Sequence, residues 1–438
     1  MARRNPKSKI QNSKLRKLVP LLLDWFSKNA RDLPWRRTRD PYAIWVSEIM
    51  LQQTQVKTVI PFWNRWLREL PTIEAAAKAP SQKIHKLWEG LGYYTRVRNL
   101  QKAAQTILEK HDGKFPKQFD DVLALSGIGR YTAGAICSIA FNQPTPILDG
   151  NVIRVLTRIF GIEKNPREKE TNKVLWQIAE NLVSHAKAQG SQRKNKNFAS
   201  FAPLREENSC SHLNQSLMEL GALVCTPRNP KCLICPAKKL CVAFQENRVD
   251  ELPNPGAREK PTARKFLAFV IERNGKFLVQ QRPEKVVNAH LWEFPNYEIH
   301  LKGSSGRKSA HSKFSQGLLA SAAAIKDFGI AQATKEFGLD FQNAKSLLTI
   351  KHSITRYRIT VEAFHISIKH PRAKNFSKNE NWFSLSELDS LAFTSAHRKI
   401  LKQLEKFYDL DFIIGSWVED KKFDDAIAIQ DRIDANMW

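Results

Sequence analysis

DVLALSGIGRYTAGAICSIAF, residues 121–141, reads as a helix, a tight turn and a second helix. The turn Ser126-Gly127-Ile128-Gly129 opens directly into an apolar helix. Glycine at Gly127 and Gly129 lets backbone N–H groups come close to an anion, and a helix N-terminus favours negative charge. A nucleic-acid phosphate is one such anion; an ordinary helix–helix connection would use the same residues. Outward from this stretch, residues 18–182 read as successive short amphipathic helices. They are punctuated at Leu33-Pro34, Asp40-Pro41, Leu70-Pro71, Ala79-Pro80 and Phe115-Pro116, and no alternating strand pattern competes.

The chain of 438 residues is long enough for two or three domains. Its formal net charge of +27 favours a polyanionic partner, since such an excess repels itself. No run of eighteen uncharged apolar residues occurs, which argues against a membrane span. Residues 1–17 read as a basic tail without the apolar core of a secretory signal. The expectation is a soluble intracellular protein.

Four of the six cysteines fall in one segment, CTPRNPKCLICPAKKLC, residues 225–241. Cys225, Cys232, Cys235 and Cys241 have the spacing C-x6-C-x2-C-x5-C. Four thiolates this close can wrap one tetrahedral zinc or one iron–sulfur cubane. Zinc more often uses two C-x2-C knuckles, whereas one C-x2-C with looser flanks suits a cluster whose ligands stand farther apart. Arg228, Lys231, Lys238 and Lys239 give the loop a positive face.

Two carboxylates sit in contrasting places. Glu48 lies inside a strongly apolar helix, PYAIWVSEIMLQQTQVKTVI (residues 41–60), where burial would raise its pKa and make it a proton donor. Asp149, in PILDGNVIRVLTRIF (residues 146–160), starts a new helix, a position an N-cap also takes. Cleaving a glycosidic bond needs such a pair: one protonates the leaving group, the other stabilises an oxocarbenium-like sugar.

Beyond residue 185 the pattern changes. Residues 186–212 read as a basic, irregular insertion within a helical domain spanning 18–243, and 244–262 as a linker around PNPGAREKP. Residues 263–406 then read as α+β. KFLAFVIERNGKFLVQQR (residues 265–282) is two apolar runs joined by Asn274-Gly275, a hairpin signal. SLLTIKHSITRYRITVEAFHISIK (residues 346–369) is a second strand pair, with residues 318–337 helix-like between them. Residues 407–438 form an acidic tail of no evident role.

Together these motifs resemble the endonuclease III, helix–hairpin–helix superfamily. More narrowly, LPWR (33–36), SEIMLQQTQV (47–56), EGLGYYTRVRNL (89–100), ILDGNV (147–152), NQSLMELGA (214–222) and the cysteine loop resemble the MutY adenine glycosylases. The resemblance implies a mainly α catalytic region of two helical lobes with a [4Fe-4S] cluster on the four cysteines, then a Nudix-like α+β domain. It implies hydrolysis of adenine from double-stranded DNA containing adenine opposite 8-oxoguanine or guanine. Glu48 would protonate adenine and Asp149 would stabilise the sugar cation. Tyr131 stands where lyase members carry a lysine nucleophile, which implies a monofunctional enzyme. Trp35, Arg36 and Gln215 match residues of the adenine pocket. Gln53, Thr54 and Tyr93 match residues that meet the duplex. The flipped base would enter that pocket.

Two departures stand out. Ile354-Thr355-Arg356 replaces the family's Phe-Ser-His, leaving Thr355 and Arg356 to read the oxidised base; Ser126 stands where proline is common. The segment GLLASAAAIKDFGI (residues 317–330) lacks the glutamates that hold Mg²⁺ in a working Nudix hydrolase, so no pyrophosphatase activity is expected. The implied setting is a cytoplasmic, nucleoid-associated bacterial monomer. The competing readings are a bifunctional glycosylase/lyase and a non-catalytic cluster-bearing DNA-binding protein.

Overall fold

The structure is a computed structural model that describes residues 6–194, 209–256, 261–299, 331, 344–354, 356–368 and 380–419. The chain divides into two compact units, Met1–Leu87 with Thr95–Arg258, and Trp88–Tyr94 with Glu259–Trp438.

The first unit is helical. It runs through α1 (Pro6–Asn29), α2 (Pro41–Leu51), α3 (Val56–Glu69), α4 (Ile73–Lys78), α5 (Ser81–Trp88), α6 (Thr95–Lys110), α7 (Phe119–Leu123) and α8 (Arg130–Phe141). It continues with α9 (Gly150–Phe160), α10 (Lys169–Lys194), α11 (Ser209–Leu223) and α12 (Val242–Gln245). Leu15, Leu18, Val19 and Leu22 repeat at helical spacing and are fully buried against Val152, Val155, Leu156 and Ile159 of α9. Leu175, Ile178 and Leu182 of α10 and Leu213, Leu217 and Leu220 of α11 complete this core. Two indoles from α3 bond to α2: Trp63 Nε1 donates to the Ala43 carbonyl at 2.9 Å, and Trp66 Nε1 to the Tyr42 hydroxyl at 2.9 Å.

Three boundaries differ from the sequence reading. From Pro6 onward the tail drawn at residues 1–17 is part of α1: the apolar stripe already includes Leu15, Lys17 is exposed, and Lys14 Nζ donates to the Ile159 carbonyl at 2.6 Å. The segment 186–212 is helical from Ala186 to Lys194 and again from Ser209, its Ala, Lys, Gln and Arg being good helix formers; residues 195–208 lie outside the described residues. The linker at 244–262 packs on the helical unit through buried Leu252, whose carbonyl accepts Arg158 Nε at 2.8 Å.

The second unit is a seven-stranded sheet with helices. Its strands are β1 (Thr262–Arg273), β2 (Lys276–Gln281), β3 (Trp292–Glu293), β4 (Asn296–Ile299), β5 (Lys345–Ile354), β6 (Tyr357–Ser367) and β7 (Glu380–Ser384). They run in the order β3-β2-β1-β6-β5, with β4 pairing β1 and β7 pairing β2. β1 and β6 are parallel from Thr262↔Tyr357 to Glu272↔Ser367. Ala268 and Val270 enter one core and Leu267, Phe269 and Ile271 the other, so β1 is apolar on both faces rather than alternating. The expected hairpin is present: Arg273 pairs with Lys276 across Asn274 (φ 50°) and Gly275 (φ 71°), the left-handed pair a tight turn requires. The second expected pair is also present, β5 and β6 being antiparallel. Two helices follow, α13 (Leu385–Ser390) and α14 (Ser395–Glu419). The tail boundary at residue 407 falls inside α14, where Tyr408 packs edge-on against Phe277 at 5.6 Å. The helix expected at 318–337 and the segment 317–330 lie outside the described residues, residue 331 excepted.

Leu15→Ala is expected to cost the helical unit about 3 kcal/mol in urea unfolding, as a fully buried leucine does, while exposed Lys17→Ala stays within about 0.5 kcal/mol.

Candidate active site

Every residue of α2 from Tyr42 to Met50 is buried, so the helix has no solvated face and its neighbours carry Glu48 into the core. Glu48 is 5% exposed. Its Oε2 accepts a hydrogen bond from the Tyr131 hydroxyl at 2.9 Å, and the same hydroxyl lies 3.3 Å from Met218 Sγ. Burial lifts the Glu48 carboxyl to about 7; the Tyr131 bond and the Arg36 charge work against the rise, while Asp149 adds to it. Tyr131, near the start of α8, is pushed well above its ordinary range by burial and the nearby carboxylates, so it stays a protonated donor.

Asp149 is indeed the N-cap of α9. Its Oδ1 accepts the Val152 amide at 2.7 Å and its Oδ2 accepts Asn151 Nδ2 at 3.0 Å. Burial raises its pKa, and these two bonds together with Arg154 pull the other way. Arg154 fixes Asn151 in turn, its Nη2 donating to Asn151 Oδ1 and to the Gly221 carbonyl, both at 2.8 Å.

Glu48, Tyr131 and Asp149 line one open cavity of about 590 Å³. That volume lies in the range of small-molecule clefts. Trp35, Arg36, Gln53, Thr54 and Gln215 line the same cavity, as do Met218 and Glu219. Trp35 packs edge-on against Trp63 at 6.0 Å, and Gln215 Nε2 donates to Ser211 Oγ at 3.1 Å. Arg36 Nη1 and Nη2 reach the two oxygens of Glu219 at 3.1 and 2.9 Å. Arg31 grips the same carboxylate through its backbone N–H at 2.9 Å, its Nε at 2.8 Å and its Nη2 at 2.7 Å. Burial alone would raise Glu219, but these guanidinium bonds hold it down at about 2. The sequence reading missed Glu219 and Arg31. The signal was available: SLMELGAL puts a glutamate in an apolar helix just as Glu48 is placed.

The helix–turn–helix forms as expected. Gly127 has φ 75°, and a Cβ there would stand 2.6 Å from Asn99 Cβ, so glycine answers both a backbone and a packing demand. Gly129 is the N-cap of α8, with no side chain capping that end. Gly127, Gly129, Tyr93 and Arg356 are not among the residues lining the cavity. Tyr93, 42% exposed with φ 48°, belongs to the segment grouped with the second unit. Arg356 follows β5 with its guanidinium 5.3 Å from the Tyr357 ring centre. Thr355 lies outside the described residues.

Cys225, Cys232, Cys235 and Cys241 line a second, apolar cavity with Val155, Ile159, Leu220 and Phe244. Among the described residues no three His, Cys, Asp or Glu side chains converge to hold a single metal ion. Burial pushes the Cys235 thiol up to about 12, and Cys232 and Cys241 also rise. Arg158 Nη1 lies 3.4 Å from Cys225 Sγ and donates to the Thr226 carbonyl at 2.8 Å, tying α9 to the loop.

Known proteins match both units. A family model described as HhH-GPD superfamily base excision DNA repair protein matches residues 46–181, and a NUDIX domain model matches residues 267–403. The chain is 36% identical over 327 residues to an adenine DNA glycosylase of Arabidopsis thaliana, covering 66% of this chain and 48% of that one. It is 36% identical over 340 residues to the adenine DNA glycosylase of Rattus norvegicus, covering 66% and 62%. It therefore spans from about half to three-fifths of those two relatives' length. Against the adenine DNA glycosylase of Buchnera aphidicola subsp. Baizongia pistaciae it is 31% identical over 396 residues, covering 88% of this chain and 96% of that one. With a relative of this identity matched over nearly its whole length, the chain belongs to the adenine DNA glycosylase family.

Proposed function

We propose that this chain is a monofunctional adenine DNA glycosylase of base excision repair, hydrolysing the N-glycosidic bond of adenine mispaired with 8-oxoguanine or guanine. The observation that carries the reading is the Glu48–Tyr131 pair facing the same cavity as Asp149. The two carboxylates differ in environment, which separates their roles. Glu48, held at about 7, gives its proton to the departing adenine. As the C1′–N bond breaks, Asp149 faces the developing positive charge on the sugar, fixed by Val152 and Asn151. Water then adds to C1′, and its proton returns to the Glu48 carboxylate. The ion-paired Arg36 and Glu219 offer donors and acceptors to the edge of the base.

The glycosidic bond is inaccessible in the stack, so the adenine must be flipped into the cavity. A lyase step would need an amine there, and the residues lining the cavity include no lysine. The net charge of +27 supports duplex DNA as the partner. The α8 N-terminus at Gly127 and Gly129 offers a phosphate site, and Arg356, beside Thr355, supplies a donor for reading 8-oxoguanine.

Cys225, Cys232, Cys235 and Cys241 would hold a [4Fe-4S] cluster. The donor set fits: four thiols bordering one apolar cavity without meeting as a single-ion site. When bound, the cluster supplies iron–thiolate bonds that cross-link the loop to the end of α11.

Three outcomes test this reading. Single-turnover assays should show adenine release without strand cleavage, faster opposite 8-oxoguanine than guanine, with Glu48→Gln slower by about 10²–10⁴-fold. Absence of base release by the wild-type protein would sink the assignment. Second, because Glu48 acts protonated, kcat/KM should fall as pH rises through about 7. Tyr131 stabilises the ionised form, so Tyr131→Phe should move that fall to higher pH, by up to about one pH unit; a move to lower pH would contradict the pairing. Third, the purified chain should carry about four iron and about four sulfide, with Cys235→Ala losing both; stoichiometric zinc instead would overturn the cluster.

A further inference from the structure

Helix α2 ends at Leu51, one turn beyond Glu48, and Gln52, Gln53 and Thr54 follow along the cavity. Gln53 is exposed and has φ 55°, a left-handed conformation that is disfavoured for a residue with a Cβ. Strain of this kind persists only where surrounding structure imposes it. Arg96, in the first turn of α6, bonds to the backbone on one side of Gln53 and to the side chain on the other. Its Nη1 lies 2.9 Å from the Ile49 carbonyl, 3.0 Å from Met50, 2.6 Å from Gln52 and 3.3 Å from Thr54 Oγ1. Its Nη2 lies 3.4 Å from the same Thr54 oxygen.

The physics favours this arrangement. The last carbonyls of a helix lack intrahelical partners, and that end carries partial negative charge. A planar guanidinium fixes its donors in a rigid fork, so one side chain ties the last turn of α2 to the strained turn after it. Nη1 alone meets all four acceptors, held there by the length and planarity of the guanidinium; a lysine ammonium, on a shorter and flexible stem, is not held at that point.

We propose that Arg96 is a positioning residue for base extrusion, holding Gln52–Thr54 in the conformation that meets the duplex at the edge of the cavity. The inference rests on the proposed reading of that cavity as the pocket for a flipped base. Arg96 touches neither Glu48 nor Asp149 through any of these bonds, so its loss leaves proton transfer intact while weakening extrusion. A mere helix cap would leave extrusion unchanged: its removal would lower stability alone.

The test uses full-length Arg96→Lys and four readouts. Amide hydrogen exchange at residues 52–54 in the DNA-free protein should accelerate by about tenfold or more, because the turn opens locally. With a fluorescent adenine analogue at the target position, the signal of the unstacked base and the duplex affinity should each fall by about tenfold. The alkaline fall of the single-turnover rate should stay at the wild-type pH. Unchanged exchange and extrusion with only a lower melting temperature would reduce Arg96 to a cap and overturn the proposal. A shifted alkaline fall would also overturn it, showing action through Glu48. Should Arg96→Lys fail to fold, Thr54→Val deletes one acceptor and spares the carbonyls; exchange at residues 52–54 should then rise by about threefold, and no change would count against Arg96. Exchange needs no DNA, so it judges Arg96 even if wild-type protein releases no adenine, the result that would sink the functional reading instead.

Discussion

Burying a carboxylate is costly unless its charge is compensated, and how that demand is met at Glu48 organises the helical unit. The α2 helix has no wet side from Tyr42 to Met50, so Glu48 cannot turn to solvent. It has one side-chain hydrogen-bond donor, Tyr131, and no full counter-ion, and its proton affinity rises to about 7. What fixes the body of α2 therefore fixes Glu48: the indole bonds of Trp63 and Trp66 and the tyrosine from α8.

Three carboxylates of this unit show how environment separates like groups. Glu219 is as buried as Glu48 but gripped by two guanidinium groups, which hold it ionised at about 2. It serves as an anchor that orients Arg36 and Arg31. Asp149 stands between these extremes, half-buried and bonded at a helix N-terminus. The cavity thus brings together a carboxyl of raised proton affinity, a carboxylate capping a helix and a salt-linked Arg36–Glu219 pair, with no lysine lining it among the described residues.

The second unit follows a separate logic. Its central strand β1 is buried on both faces because it pairs in parallel with β6 and antiparallel with β2 and β4. Two apolar cores result, one on each side of the sheet. The turn after β5 leaves Arg356 exposed at its end, supported by the Tyr357 ring. A basic side chain on a strand-end turn can vary in identity without disturbing either core.

What the sequence determined alone was local. The glycine turn at residues 126–129, the Asn274-Gly275 hairpin, the spacing of the cysteines and a glutamate in an apolar helix each express a rule over a few residues, and each could be read directly. Helix ends were read less well. At α1 the charge of the first residues masked an apolar stripe beginning at Leu15, and at α10 the polar composition masked helix-forming side chains up to Lys194. What only the tertiary structure decided was pairing across the chain. Arg31 and Arg36 meet Glu219 more than 180 residues away, and Tyr131 meets Glu48 across 83. Arg96 reaches back to four acceptors on and after another helix. No local rule contains these contacts, because packing free energy selects among arrangements that the same local patterns allow equally.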